Sequence, residues 1–110
     1  RFPLRFLFIA FASLLATQSV AMAAGDAAAG KKKIIKCQVC HGVDGVSKNP
    51  EAPNISGQSE KYIIKSIKAF QSGERKNEQM SVVVKTLSDE DIANLAAWYS
   101  SIKVTVEVPK

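Results

Sequence analysis

Residues 36–42, which read KCQVCHG, contain both cysteines and the single histidine of this 110-residue chain. Two thiols and an imidazole could form a disulfide, a redox-active dithiol or part of a zinc site. A disulfide between Cys37 and Cys40 closes a very short loop, so it would remove little entropy from the unfolded chain. A redox dithiol usually lies in a thioredoxin-like βαβ unit, and no strand pair is legible nearby. A structural zinc ion needs four ligands, whereas this segment supplies three at most.

A fourth chemistry uses all three residues, because C-x-x-C-H is the signature of covalent haem attachment. Residues three positions apart are neighbours on one face of a helix. Cys37 and Cys40 can therefore form thioethers to the two vinyl groups of one porphyrin, while His41 reaches the iron. The motif favours this hypothesis, and the disulfide and the dithiol remain its alternatives.

Several further motifs accompany CQVCHG: PNISG at 53–57, FQSGER at 70–75, Met80 and LSDEDIANLAAWYS at 87–100. Together they resemble the small soluble class I c-type cytochromes of bacteria, including single halves of their dihaem relatives, over nearly all of residues 24–101. The resemblance implies an all-α cytochrome c fold, with three main helices and loops wrapped around one haem. It also implies an electron carrier.

The resemblance assigns roles to five residues of this chain. Cys37 and Cys40 would bind one haem c covalently, His41 would be the proximal iron ligand and Met80 the distal one. The carbonyl of Pro53 would accept a hydrogen bond from the second ring nitrogen of His41, as ligand histidines usually require. Ligation by His and Met raises the reduction potential and leaves the iron without an open position.

The neighbours of Met80 support a special role for it. Most methionines fill apolar cores, which is the alternative interpretation. Glu78, Gln79 and Ser81 are polar, however, and the only other methionine is Met22. A lone apolar residue in a polar loop is consistent with a ligand.

Three helices are predicted from caps and apolar spacing. The first covers residues 26–40 with Asp26 as its cap, the second covers 60–72 between Ser59 and Gly73, and the third follows a capping box of Ser88 and Asp91. Gly30 inside the first helix costs stability, which predicts close approach by another element. By resemblance, Trp98 of the last helix lies at that crossing.

Two valine-rich stretches, residues 82–84 and 104–108, also fit strands. Neither has an obvious partner. We interpret the first as part of the link to the last helix and the second as an extended tail, which covers residues 102–110.

Residues 1–23 match a signal peptide: Arg1 and Arg5, then an apolar run, then Ala21-Met22-Ala23 as a cleavage site. An uncleaved anchor is the alternative, but the strongly apolar run is shorter than a membrane span. This organisation predicts export to the periplasm and a cytochrome c domain over residues 24–101.

Charge and size limit the expected partners. Without residues 1–23, the chain has 13 basic and 10 acidic residues, a net charge of +3. This favours docking on acidic protein surfaces, with Lys61, Lys65 and Lys68 as a solvated or docking face, and argues against nucleic acid.

We therefore expect a monomeric periplasmic carrier, not an enzyme, that exchanges single electrons with redox proteins, including membrane-bound oxidase or reductase complexes. Stable membrane insertion after cleavage is not expected. Two rivals stay open: a haem sensor or small peroxidase with an open distal position, and a disulfide-stapled interaction domain without a cofactor.

Overall fold

The computed structural model describes residues 24–110, so the predicted signal peptide lies outside the described residues. This part of the chain is helical and contains no strand, which confirms the predicted all-α class. The elements are α1 (Ala27–Lys33), α2 (Ile35–His41), α3 (Glu60–Ser72), α4 (Met80–Val83) and α5 (Asp89–Ser101). None of the helices between residues 24 and 110 is long and apolar enough to cross a bilayer.

The predicted helix boundaries are confirmed by side-chain caps. The side chains of Asp26 and Ser59 accept hydrogen bonds, each at 3.1 Å, from the first turns of α1 and α3. Ser88 and Asp91 form the reciprocal capping box of α5, with bonds of 3.0 and 3.1 Å. Gly73 ends α3 in the left-handed conformation (φ 81°), which glycine adopts without steric cost.

The predicted first helix is two helices, because the backbone of Ile34 leaves helical geometry (φ −75°, ψ 3°). The amide of Cys37 donates to the Ile34 carbonyl at 2.8 Å, a tight three-residue turn. The break therefore gives the Cys-x-x-Cys-His segment a helix of its own. That helix ends at His41, one residue later than predicted, because Gly42 follows with φ 76°.

The core is built where α5 packs against α1 and α3. Its buried members are Ile34, Ile63, Leu95, Ala96 and Tyr99. Three of them, Leu95, Ala96 and Tyr99, lie on one face of α5, where apolar residues recur at helical spacing.

Gly30 lies at the crossing of α1 and α5, as predicted. A Cβ atom built on Gly30 would overlap the backbone carbonyl of Asn94, with the carbonyl carbon at 2.6 Å, and would lie 3.1 Å from the Cβ of Trp98. Since no side chain fits there, glycine is what permits the two helices to pack this closely.

The valine-rich stretches are not strands. The short helix α4 covers Met80–Val83, so the strand alternative for residues 82–84 was wrong. Residues 103–110 of the tail form no regular secondary structure and are exposed, and no partner strand exists within residues 24–110.

Candidate functional site

Cys37 and Cys40 lie on α2, and both are half-buried, unpaired thiols. Burial raises the pKa of the Cys37 thiol above its ordinary value. Redox-active dithiols depend on a lowered thiol pKa, because the thiolate is the nucleophile. The raised pKa of Cys37 disfavours the redox-dithiol hypothesis, and it keeps the Cys37 sulfur protonated.

His41, the last residue of α2, is 8% exposed. Its Nδ1 lies 2.9 Å from the carbonyl oxygen of Pro53. A carbonyl can only accept, so Nδ1 carries the proton and donates. In the neutral imidazole, Nε2 then has the lone pair, directed away from Pro53, and this is the form that ligates iron.

The loop that carries Pro53 is folded back on itself by backbone-directed bonds. The Ile55 amide donates to the Gly45 carbonyl at 2.8 Å, and the Ser47 amide donates to Oδ1 of Asn54 at 2.7 Å. Gly45 has φ 74°, a conformation that favours glycine in this turn. These bonds fix the Pro53 carbonyl opposite His41. Asp44-Gly45 and the PNISG motif at 53–57 form the two sides of the folded-back loop.

Two aromatic residues of α5 hold the start of the same loop. The hydroxyl of Tyr99 donates to the Gly42 carbonyl at 3.0 Å, and Nε1 of Trp98 donates to the Val43 carbonyl at 2.9 Å. Burial raises the pKa of Tyr99, so its hydroxyl stays protonated and remains a donor. Sequence reasoning placed both residues on α5 but missed these bonds; the signal was an aromatic side chain with a polar tip on a buried helix face.

Met80 is the first residue of α4 and is half-buried. Oδ1 of Asn77 accepts from the amides of Gln79 and Met80, at 3.0 and 2.9 Å. Asn77 therefore caps the turn that presents Met80. Sequence reasoning missed this role, although an Asn three residues before a helical turn is a typical signal.

Gln71 of α3 attaches the other side of the Met80 segment. Its Nε2 donates to the carbonyls of Val84 and Leu87, at 2.8 and 2.9 Å. No sequence pattern indicated this, because the two acceptors are backbone atoms distant in the sequence.

A family model described as cytochrome c matches residues 24–103. The chain belongs to the cytochrome c family. It is an electron-transfer cytochrome whose cofactor is haem c, bound covalently through Cys37 and Cys40.

The chain is similar to one cytochrome that it covers almost completely and to longer cytochromes of which it covers about half. Cytochrome c-554(548) of Halomonas halodenitrificans is 52% identical over 81 residues, 71% of this chain and 98% of that protein. Cytochrome c4 of Pseudomonas aeruginosa is 39% identical over 100 residues, 91% of this chain and 50% of that protein. The crystal structure of reduced cytochrome c4 from Pseudomonas stutzeri superposes with a TM-score of 0.69 at 39% identity, covering 76% of this chain and 48% of that one. The chain thus spans about half the length of the cytochromes c4.

The described residues suit this cofactor. The donor set comprises two thiols three positions apart on one helix and an imidazole whose Nδ1 faces the Pro53 carbonyl, which leaves Nε2 for a metal. Cys37 packs against the core, and so do partly buried apolar side chains from three other segments: Ile55, Ile64, Ile67 and Leu87. An apolar ring attached to Cys37 would be received by apolar surface, which favours its burial.

Proposed function

We propose that this cytochrome carries single electrons on one haem c, with His41 as the proximal and Met80 as the distal ligand of the iron. The observation that carries the proposal is the 2.9 Å bond between His41 Nδ1 and the Pro53 carbonyl. It gives the imidazole the tautomer and the fixed orientation of a metal ligand. Haem c supplies the reversible change between ferric and ferrous iron.

The protein contributes ligands, orientation and a low-polarity environment. Cys37 and Cys40 on α2 would fix the ring to the helix that also holds His41, so cofactor and proximal ligand move together. Met80 would complete the coordination from α4. A thioether at this position raises the reduction potential and closes the site to exogenous ligands. The arrangement therefore fits electron exchange without making or breaking a substrate bond.

We also propose a periplasmic location and redox proteins as partners, including membrane-bound oxidase or reductase complexes. The support is the signal-like sequence of residues 1–23 and the similarity to cytochromes c4. Exposed lysines on α3 would favour acidic partners. Lys61 and Lys65 are exposed, whereas Lys68 pairs with Asp89 at 3.2 Å.

The replacement Met80→Ala tests the ligand assignment. Removal of the thioether is expected to lower the reduction potential and to let carbon monoxide bind the reduced iron. Val82→Ala is the matched control, because Val82 lies on the same short helix and is 70% exposed. Potentiometry and absorption spectra with carbon monoxide should change for Met80→Ala and stay unchanged for Val82→Ala.

Contrary results would be specific. An unchanged potential and no carbon monoxide binding in Met80→Ala would remove Met80 from the iron. Rapid carbon monoxide binding by the unmodified protein would indicate an open distal position, as in a sensor or small peroxidase. Mass spectrometry of protein exported from a host that attaches haem separates the cofactor-free rival, since attachment adds the mass of haem and a disulfide removes two hydrogens.

A further inference from the structure

The tail has the properties of a strand without a partner. Among residues 24–110, no backbone hydrogen bond joins residues 103–110 to any other segment. Val104, Val106 and Val108 are 55%, 78% and 77% exposed. A segment whose amides and carbonyls lack backbone partners, and which carries a row of β-branched side chains, can pair with another strand.

The beginning of the tail is fixed to the domain. Ile102 packs against the core cluster, and the Gly57 amide donates to the Tyr99 carbonyl at 2.9 Å. A Cβ atom on Gly57 would lie 3.0 Å from Cγ2 of Val104. Because its first residues are held, the segment loses less conformational entropy on pairing than a mobile peptide would.

The family match ends at residue 103, so residues 104–110 lie beyond the matched domain. The tail is therefore available for a contact that leaves the haem-binding fold unchanged. We propose that residues 103–108, here called the tail strand, pair antiparallel with the tail strand of a second copy and form a homodimer.

The charges of the tail strand select one register. With Thr105 opposite Thr105 of the second copy, Lys103 lies opposite Glu107 of the second copy, and the reverse pair forms by symmetry. Both ion pairs and the central Thr pair lie on one face, and opposite charges and Thr pairs are favourable across strands. If the centre of the pairing moved by one residue to Val106, Glu107 would lie opposite Thr105 of the second copy. Both ion pairs would then be lost.

The same register brings together the apolar side chains of the opposite face. Val104 lies opposite Val106 of the second copy, and Val108 lies opposite Ile102 of the second copy. Since Ile102 packs on its own core, the far end of each tail strand would reach the edge of the other domain. Pro109 has no amide hydrogen and ends the pairing.

The resulting interface is small, so we expect a weak dimer that forms with rising concentration. The sequence alone predicts a monomer, and the tail strand changes that expectation. A dimer would bring together two haem-binding domains with about as many residues in total as a cytochrome c4, of which this chain spans half.

Sedimentation equilibrium of the haem-loaded chain tests the proposal with charge variants. Lys103→Glu and Glu107→Lys each place like charges opposite one another twice, so each should weaken the homodimer about tenfold. An equal mixture of the two variants should dimerise again, because each strand then faces the opposite charge. Lys61→Glu makes the same charge change at an exposed position outside the tail and should leave the dimer intact.

A backbone variant gives an independent readout. Val106→Pro removes an amide from the centre of the tail strand and should abolish dimerisation, whereas Val106→Thr should retain it. Val106 is exposed, so both variants should keep the absorption spectrum and unfolding midpoint of the parent. An unmodified chain that stays monomeric at millimolar concentration, or a mixture that fails to restore dimers, would overturn the proposal.

Discussion

The loop after His41 and the loop before Met80 are held in different ways. The first is bonded to α5 through Tyr99 and Trp98 and closed internally at Gly45. The second runs through residues 73–79, all of which are exposed. The cap at Asn77 arranges its end, and Gln71 of α3 bonds to the segment that follows Met80, at the Val84 carbonyl.

The difference indicates which side of the site opens first. Segments with few buried contacts and exposed hydrogen bonds open at lower free energy than core segments. His41 is therefore expected to stay in position through local fluctuations. Met80 is expected to move away from its position in the site more often. If His41 and Met80 ligate the iron as proposed, this asymmetry would keep the cofactor oriented from the His41 side and would expose the iron from the Met80 side.

The largest effect is expected from a change that weakens the packing of α1 on α5, the helix that holds the loop after His41. In Gly30→Ala the new methyl group overlaps the Asn94 carbonyl, a backbone group that cannot rotate away. We expect α1 to shift from α5 and the free energy of unfolding to fall by about 3 kcal/mol. The better helix propensity of Ala, about 1 kcal/mol, does not offset this loss. Denaturant unfolding of the haem-loaded protein measures the change.

Gly73→Ala is the matched control on the distal side. A Cβ atom there meets nothing within 4 Å, and only the positive φ of 81° is unfavourable. The expected loss is about 1 kcal/mol. Equal losses for the two variants would contradict the steric role assigned to Gly30.

The next effect concerns the buried bond from Tyr99 to Gly42. Tyr99→Phe keeps the ring and leaves the Gly42 carbonyl without its donor, which should cost about 1–2 kcal/mol of unfolding free energy. Tyr62→Phe, at a side chain that is 51% exposed, should cost almost nothing. Thermal unfolding of both variants provides the comparison, and a stable Tyr99→Phe would show that water replaces the hydroxyl.

The sequence predicted the three main helical regions and their caps because those features depend on local spacing. The close approach at Gly30 was predicted from the cost of glycine inside a helix, and the crossing with the last helix from the family resemblance. It also pointed to the bond between His41 and Pro53 through the family resemblance. The acceptors of the Tyr99, Trp98 and Gln71 bonds were not predictable, since they are backbone carbonyls brought near by tertiary packing. The break at Ile34 was missed for a related reason: Ile34 is a buried core residue, and neither Pro nor Gly marks the position.

A smaller effect should appear on the distal side alone. Asn77→Ala removes the acceptor of the Gln79 and Met80 amides, which should cost about 1 kcal/mol. If this free energy favours local opening, carbon monoxide should bind the reduced protein about fivefold faster. Stopped-flow mixing measures that rate.

Asn49→Ala supplies the proximal control for this experiment. Oδ1 of Asn49 accepts from the Glu51 amide at 2.9 Å, so its loss disturbs a similar turn in the loop after His41. Stability should fall by a similar amount while the carbon monoxide rate stays unchanged. A rate that rose equally in both variants would mean that the two loops open together, which contradicts the asymmetry.

The smallest expected effect concerns the contributions of two ion pairs of α5 to stability as the pH changes. Lys33 lies 3.0 Å from Asp91 and, with the Ser88 amide, lowers the pKa of that carboxyl. A lowered pKa in the folded state contributes stability above the ordinary carboxyl range, near pH 4, and the contribution is lost as the pH falls through the lowered value.

Asp91→Asn should therefore reduce stability at pH 7 by about 0.5 kcal/mol and flatten its decline below pH 4. Asp89→Asn, which removes the more exposed pair with Lys68, should change stability less at pH 7. Unfolding curves between pH 2 and 7 measure both, and an unaltered acid profile in Asp91→Asn would show that the contact between α1 and α5 does not depend on this charge.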